Sequence, residues 1–350
     1  NEQLIHPFQP YNNIATANQI EYFEKVFDLN SPIDSSDQIW QWKELMTLIT
    51  MIVAMIMLIP FSRFILSQNI FNTLVKDVPK ALPQQNKTSK IIFWIIFFLG
   101  AFIASMSYIP MVDAAKVIFA DAANRELTWF YPQRMNNSVM LWAAFNGVIG
   151  LILFTGSYQF FGKKHGVSIS SWGLEADIKY IAKTFGLALT VFASYYALLF
   201  LIYYIFHVDY RFWFMGVRIF QPEMLLVLAM YAPIFFIFFF SNSLRVNGAM
   251  RIKGQAEWKS MLIAGVANSL GLFLIILLQY VTFALTGTVF WTTNWLSVNL
   301  LFAIVPMMFV LPYFNRYFFY MTGRVYLGPM VTTLVFIMIL STNTVVYLPI

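Results

Sequence analysis

The sequence predicts an all-α protein: a polytopic membrane helix bundle of about eight spans, both termini outside, preceded by a short extracytoplasmic amphipathic helix. Three observations carry this reading. Hydrophobic residues make up 59% of the 350 residues, against about 45–50% in an average globular chain. Charged residues are 11%, too few to coat the surface of a soluble protein of 40.5 kDa. The apolar residues fall in runs long enough to cross about 30 Å of hydrocarbon as helices. These runs are uniformly apolar rather than alternating, which argues against a transmembrane β-barrel.

The elements follow in order. Residues 1–30 are polar and acidic and belong outside the bilayer. Pro10, Asn12 and Asn13 punctuate the chain before an amphipathic helix over 15–27. Ile20, Phe23, Val26 and Phe27 lie at helical spacing on one apolar face. One short helix cannot bury such a face alone, so a partner surface is expected. Residues 31–43 read as a linker with Pro32 and then an interfacial segment with Trp40 and Trp42.

The remaining region, 44–350, holds the eight runs: 44–66, 91–112, 139–162, 184–206, 222–243, 260–285, 297–315 and 325–347. Fifteen of the 22 Lys and Arg residues fall after spans 1, 3, 5 and 7, from Arg63 to Arg324, with Arg245 and Arg251 counted in the loop after span 5. Twelve of the 16 acidic residues fall at the opposite ends. By the positive-inside rule the basic loops face the cytoplasm and both termini face out, in a cell membrane. Trp129, Trp291 and Trp295 sit at outer span ends and Trp94, Trp172 and Trp258 at inner ones. Membrane topology thus accounts for the net charge of +6, and no nucleic-acid partner is expected. With no cysteine there is no disulfide, thiolate metal site or cysteine nucleophile, and no motif calls for a cofactor.

No ionisable residue falls at the centre of a span: Asp113, Glu223 and Arg316 lie toward interfaces. That weighs against proton- or voltage-driven mechanisms and leaves neutral or lipid-like substrates open. The polar groups nearer the span interiors are Asn146, Asn268, Ser269 and Gln279. They either make interhelical hydrogen bonds worth about 1 kcal/mol each or line a substrate pathway. Gly265 with Ser269, and Ala267 with Gly271, form a small-residue stripe permitting close helix approach.

Outside span 4, His207, Asp209 and Arg211 form an outer polar cluster flanked by Tyr210, Phe212 and Trp213. An interfacial anchor is the ordinary reading. A metal pair at His207 and Asp209, or an anionic head group on Arg211, is the sharper one; a third metal ligand is lacking. In the long outer loop 113–138, residues 114–123 are expected to form a short surface helix. The basic loop 163–183 is expected to touch anionic lipid. Its glycines do not follow a strand, so no phosphate loop is predicted.

Certain stretches carry a family resemblance. His6-Pro7-Phe8-Gln9-Pro10, followed by a helix ending Glu21-Tyr22-Phe23-Glu24-Lys25-Val26-Phe27, resembles the closing segment of an α/β-hydrolase domain. Gln38-Ile39-Trp40-Gln41-Trp42-Lys43-Glu44 and Asp209-Tyr210-Arg211-Phe212-Trp213 resemble the multi-span C-terminal region of bacterial membrane-bound α/β-hydrolase-like proteins. The resemblance implies that residues 1–30 are the remnant of an extracytoplasmic hydrolase domain, with an upstream part of the protein packing on helix 15–27. It implies that His6 is the hydrolase's general base toward an upstream nucleophile. The chain departs from that pattern in having no Gly-x-Ser-x-Gly elbow and no acid partner for His6. This chain alone is therefore expected to be inactive as a hydrolase.

Two functions follow, with different structural signs. A bundle that anchors, and assists, an extracytoplasmic hydrolase-like domain predicts close, dry packing and an uncovered apolar face on helix 15–27. A self-sufficient permease or export component for a neutral or lipid-like substrate predicts a central cavity lined by Asn146, Asn268 and Gln279.

Overall fold

The computed structural model describes residues 4, 6–29, 31–212, 215–218 and 220–349. It is an all-α helical bundle. Seven helices are long and apolar enough to cross a membrane: α2 (Trp40–Leu66), α3 (Lys87–Ile118), α5 (Arg134–Ser157), α6 (Ile178–Phe206), α7 (Met224–Leu244), α8 (Glu257–Thr286) and α9 (Trp295–Thr322). Shorter helices are α1 (Asn13–Phe27), α4 (Ala120–Ala123) and α10 (Leu327–Thr342). The strands described are β1 (Tyr210–Phe212) and β2 (Met215–Val217), an antiparallel pair.

Polar residues set the helix ends. Asn12, Asn86 and Asp177 accept the free amides of Ala15, Ser89 and Tyr180 at 3.0, 2.8 and 2.6 Å, starting α1, α3 and α6. Gly287 and Gly323 stop α8 and α9 in the left-handed conformation, at φ 73° and 61°.

The two ends of the bundle are fastened differently. At one end Lys116 Nζ donates to Asn294 Oδ1 at 2.6 Å, and the Tyr347 amide donates to the Pro132 carbonyl at 2.8 Å. There too Thr50 Oγ1 donates to the Asp209 carbonyl at 2.6 Å, joining the start of α2 to the hairpin. The other end gathers the loops rich in Lys and Arg and is called the basic end here. Tyr180 Oη donates to the Leu74 carbonyl at 2.9 Å, and the Val325 amide donates to the Gly173 carbonyl at 3.2 Å.

Arg251 locks this end. Its Nε donates to the Asn247 carbonyl at 2.8 Å, Nη1 to Pro79 at 2.6 Å, and Nη2 to Ser171 at 2.7 Å and Lys80 at 3.4 Å. The guanidinium also lies 4.6 Å from the Phe319 ring centre. Burial, reinforced by neighbouring Arg316, holds its pKa down at about 10.

Close packing rests on small residues. A Cβ on Gly147 would stand 2.8 Å from the Phe238 backbone, so α5 and α7 meet backbone to backbone. Gly265 and Gly271, from the predicted stripe, face Phe309 of α9 and Ala101 with Ala104 of α3, at 2.9 and 2.7 Å on the same measure.

The structure differs from the sequence expectation in three places. The eighth apolar run forms α10, 16 residues long, about 24 Å at the rise of an α-helix. It is buried along most of its length against α6, α7 and α9 rather than facing lipid. Residues 114–118 do not form a separate surface helix but continue α3, and only α4 stands apart. Finally, α7 does not stop near 243: a π-helical turn, Arg245–Ala249, extends it, so Arg245 belongs to the helix and not to a loop.

The N-terminal segment is tied to the start of α2. Trp40 Nε1 and Gln41 Nε2 both donate to Asn13 Oδ1, at 3.0 and 2.7 Å. Phe8 meets Phe302 edge-on at 5.9 Å. No residue of α1 is buried, and Phe23, Val26 and Phe27 remain 53%, 53% and 63% exposed.

Candidate functional site

A cavity of about 280 Å³ opens in the half of the bundle nearest the basic end. Four helices wall it: the first half of α3, the second half of α5, the end of α7 and the beginning of α8. Their alternating directions bring these halves to the same depth. The wall is mostly apolar, with Phe93, Ile96, Phe97, Ile149 and Leu153. Leu82–Gln85, Phe161, His165, Val167 and Trp172 also line it. The basic loop read as a lipid contact therefore contributes to the cavity lining, with Trp172 buried and its ring 4.5 Å from that of Phe154.

α3 leaves open space on its Gly100 face, although Ala101 beside it packs on Gly271 of α8. A Cβ on Gly100 would meet nothing within 4 Å. Farther along, Trp142 Nε1 donates to the Ala104 carbonyl at 2.8 Å, and α3 and α5 are closed against each other.

Two polar groupings line this space. Asn146 Nδ2 donates to Ser107 Oγ at 3.0 Å and to the Trp142 carbonyl at 2.9 Å. Arg245 Nη2 and Asn242 Nδ2 both donate to Asn268 Oδ1. Asn268 Nδ2 in turn donates to the Met308 carbonyl at 3.1 Å. Arg245 Nε is buried and meets no acceptor among the described residues.

Behind the cavity the polar seam continues into α9. Asn315 Nδ2 donates to Asn242 Oδ1 at 3.0 Å. Arg316, 2% exposed, donates through Nε to Asn247 Oδ1 at 3.0 Å and pairs with Glu257 at 2.7 Å. The Arg316 charge is thus matched, whereas no carboxylate pairs with Arg245 among the described residues.

The residues singled out in sequence divide. Asn146 and Asn268 line the cavity. Ser269 Oγ donates to the Gly265 carbonyl of its own helix at 2.9 Å, and does not face the cavity. Gln279 is buried far along α8, where its Oε1 accepts the Trp291 amide at 2.7 Å and holds the α8–α9 loop. The structure thus brings Asn146 and Asn268, but not Gln279, to one cavity. It adds Asn242 and Arg245, which the sequence reading placed at a span end and in a loop. The signal that marks them is Asn242-x-x-Arg245, one helical turn apart, continuing the apolar pattern of α7.

The outer cluster is structural in form. His207 caps α6 in the left-handed conformation at φ 51°, its ring 6.4 Å from that of Tyr203. Arg211 is paired with Glu44 at the start of α2. Asp209 and Arg211 border a separate hollow with Tyr196, Tyr203 and Arg218. Burial raises the pKa of Tyr210 beside them. Among the described residues no three His, Cys, Asp or Glu side chains group as metal ligands. The expected role of His6 lies outside the described residues: its backbone belongs to a short turn, His6–Tyr11, and its side chain is not described. Trp213 is likewise outside them.

No family model, no curated protein and no solved structure matches this chain.

Proposed function

We propose that this protein is a multi-pass membrane protein whose bundle takes up a lipid-like amphiphile from the leaflet at its basic end, as a permease or lipid-presenting unit. The observation that carries the reading is the cavity itself: an apolar wall on α3 and α5 together with the polar side chains of Asn146, Asn242, Arg245 and Asn268. Ligand sites are commonly such apolar hollows with a few convergent polar groups, of about 300–1,000 Å³. At about 280 Å³ this one suits a head group and the first part of a chain. In this reading α10 is the eighth, shielded span, the basic loops face the cytoplasm and both termini are extracytoplasmic.

The test uses the absence of cysteine from the chain. A single Leu153→Cys places one thiol in the cavity. Reaction with a water-soluble maleimide, slowed at least tenfold by a short-chain phosphatidylcholine, is the expected result. A thiol that never reacts, or one that lipid does not protect, sinks the proposal.

A second reading is favoured by one observation of its own. The exposed Phe23, Val26 and Phe27 on α1 form the face on which an extracytoplasmic hydrolase-like domain would dock, with the bundle presenting substrate to it. Photocrosslinking from position 23 in cell membranes tests this. Capture of a folded extracytoplasmic domain supports it, and adducts with lipid alone overturn it.

A further inference from the structure

We infer that the cavity selects amphiphiles whose head group carries anionic oxygen, and that Arg245 is the residue that reads that charge. The inference rests on the cavity reading above and narrows its substrate class from lipid-like in general to acidic.

Three observations converge. Arg245 lines the cavity, on the π-helical turn that carries α7 beyond its predicted end. Among the described residues its side chain makes one hydrogen bond, from Nη2 to the neutral amide of Asn268, and its buried Nε has no acceptor. The other embedded guanidiniums at this end are provided for: Arg316 by Glu257, and Arg251 by four backbone carbonyls.

A guanidinium in an apolar hollow is costly unless paired, and its charge cannot be relieved by losing a proton at ordinary pH. Its planar fork fits carboxylate and phosphate oxygens, and Nη1 is one tine of the fork. Asn242 and Asn268 are engaged with each other, with Arg245 and with α9. They hold the guanidinium at Nη2, while Nη1 makes no hydrogen bond among the described residues and is the nitrogen left to the ligand. The apolar wall of Phe93, Phe97 and Leu153 would then take the start of an acyl chain.

The experiment is native mass spectrometry of the full chain in detergent, offered phosphatidic acid and diacylglycerol in equal amounts, with inorganic phosphate in parallel. The two lipids differ only in the phosphate. Hydrogen bonds to a charged group are worth about tenfold or more in affinity, so wild type should retain phosphatidic acid at least tenfold over diacylglycerol. Arg245→Gln should lose that preference and still bind diacylglycerol. Asn268→Asp supplies an internal counter-charge at the atom that already accepts from Arg245, and should lose the preference as well, even where Arg245→Gln does not fold.

Equal retention of both lipids by wild type overturns the inference and leaves the cavity reading standing. Retention of neither, with the thiol at position 153 unprotected, overturns the cavity reading itself. Tight binding of inorganic phosphate, undiminished by lipid, assigns the site to a free anion and overturns the acyl half of the proposal.

Discussion

Gly100 gives the most direct handle on the cavity. It lies inside α3, lines the cavity, and a Cβ there would meet nothing within 4 Å. Replacing a helix-interior glycine with alanine gains about 0.8–1.0 kcal/mol of helix propensity, and here there is no steric cost to set against it. Leucine should retain that gain and add dispersion contacts with the cavity wall, since packing rather than water exclusion drives helix association in lipid. Gly147 provides the control on α5. A Cβ there would stand 2.8 Å from the Phe238 backbone, and backbone cannot step aside cheaply. Overpacking of this kind costs about 1–3 kcal/mol, so Gly147→Ala should come out neutral to destabilising by about 2 kcal/mol after the propensity gain. The same substitution thus stabilises at Gly100 and is neutral to destabilising at Gly147. Unfolding of the purified chain by a titrated denaturing detergent measures both. Gly100→Leu should also abolish lipid protection of a thiol at position 153. A Gly100→Ala variant as unstable as Gly147→Ala would show that α3 is packed where the cavity is drawn.

The other predictions concern the framework. Arg251→Met removes the donor for four carbonyls and should cost about 3–5 kcal/mol. Hydrogen exchange should show early loss of protection at the Leu82 and Lys253 amides, which pair this loop with residues 82 and 251. Glu257→Gln strands the buried Arg316 charge. Because Glu257 is 50% exposed, the expected loss is about 1–3 kcal/mol rather than the value for a wholly buried pair, read by the same detergent titration. Burial and the nearby Glu44 raise the Tyr11 pKa, with Arg211 opposing. Its folded value exceeds its unfolded one, so its contribution is complete below the ordinary tyrosine value and fades as pH rises through the raised value. Tryptic cleavage at Lys25 should therefore quicken in strongly alkaline buffer, and a Tyr11→Phe variant should lose that dependence.

Much of the bundle is legible in sequence because bilayer thickness and helical rise convert directly into runs of apolar residues. The two ends are legible from charge alone: the loops bearing Lys76, Lys80 and Lys163 do gather at one end of the bundle. Legibility stops where the deciding geometry is tertiary. An apolar run reads the same facing lipid or facing protein, so nothing in residues 327–342 says that α10 is enclosed by neighbours. Helix ends are equally ambiguous. Ser241, Asn242 and Ser243 look like the polarity of a terminus, yet a π-helical turn follows, and with it Arg245 enters the cavity. Asn146 and Gln279 both read as amides within apolar runs, and only packing separates a cavity amide from a loop latch.

The central claim is that an amphiphile occupies the space between α3, α5, α7 and α8. A phosphatidic acid with a diazirine near the carboxyl end of one chain tests this directly when photolysed with the full-length chain in nanodiscs and mapped by peptide mass spectrometry. The account predicts adducts concentrated on the cavity faces of residues 93–104 and 146–157, lost in Gly100→Leu while labelling of α2 persists. Adducts spread evenly over the lipid-facing helices, and indifferent to Gly100→Leu, would contradict it.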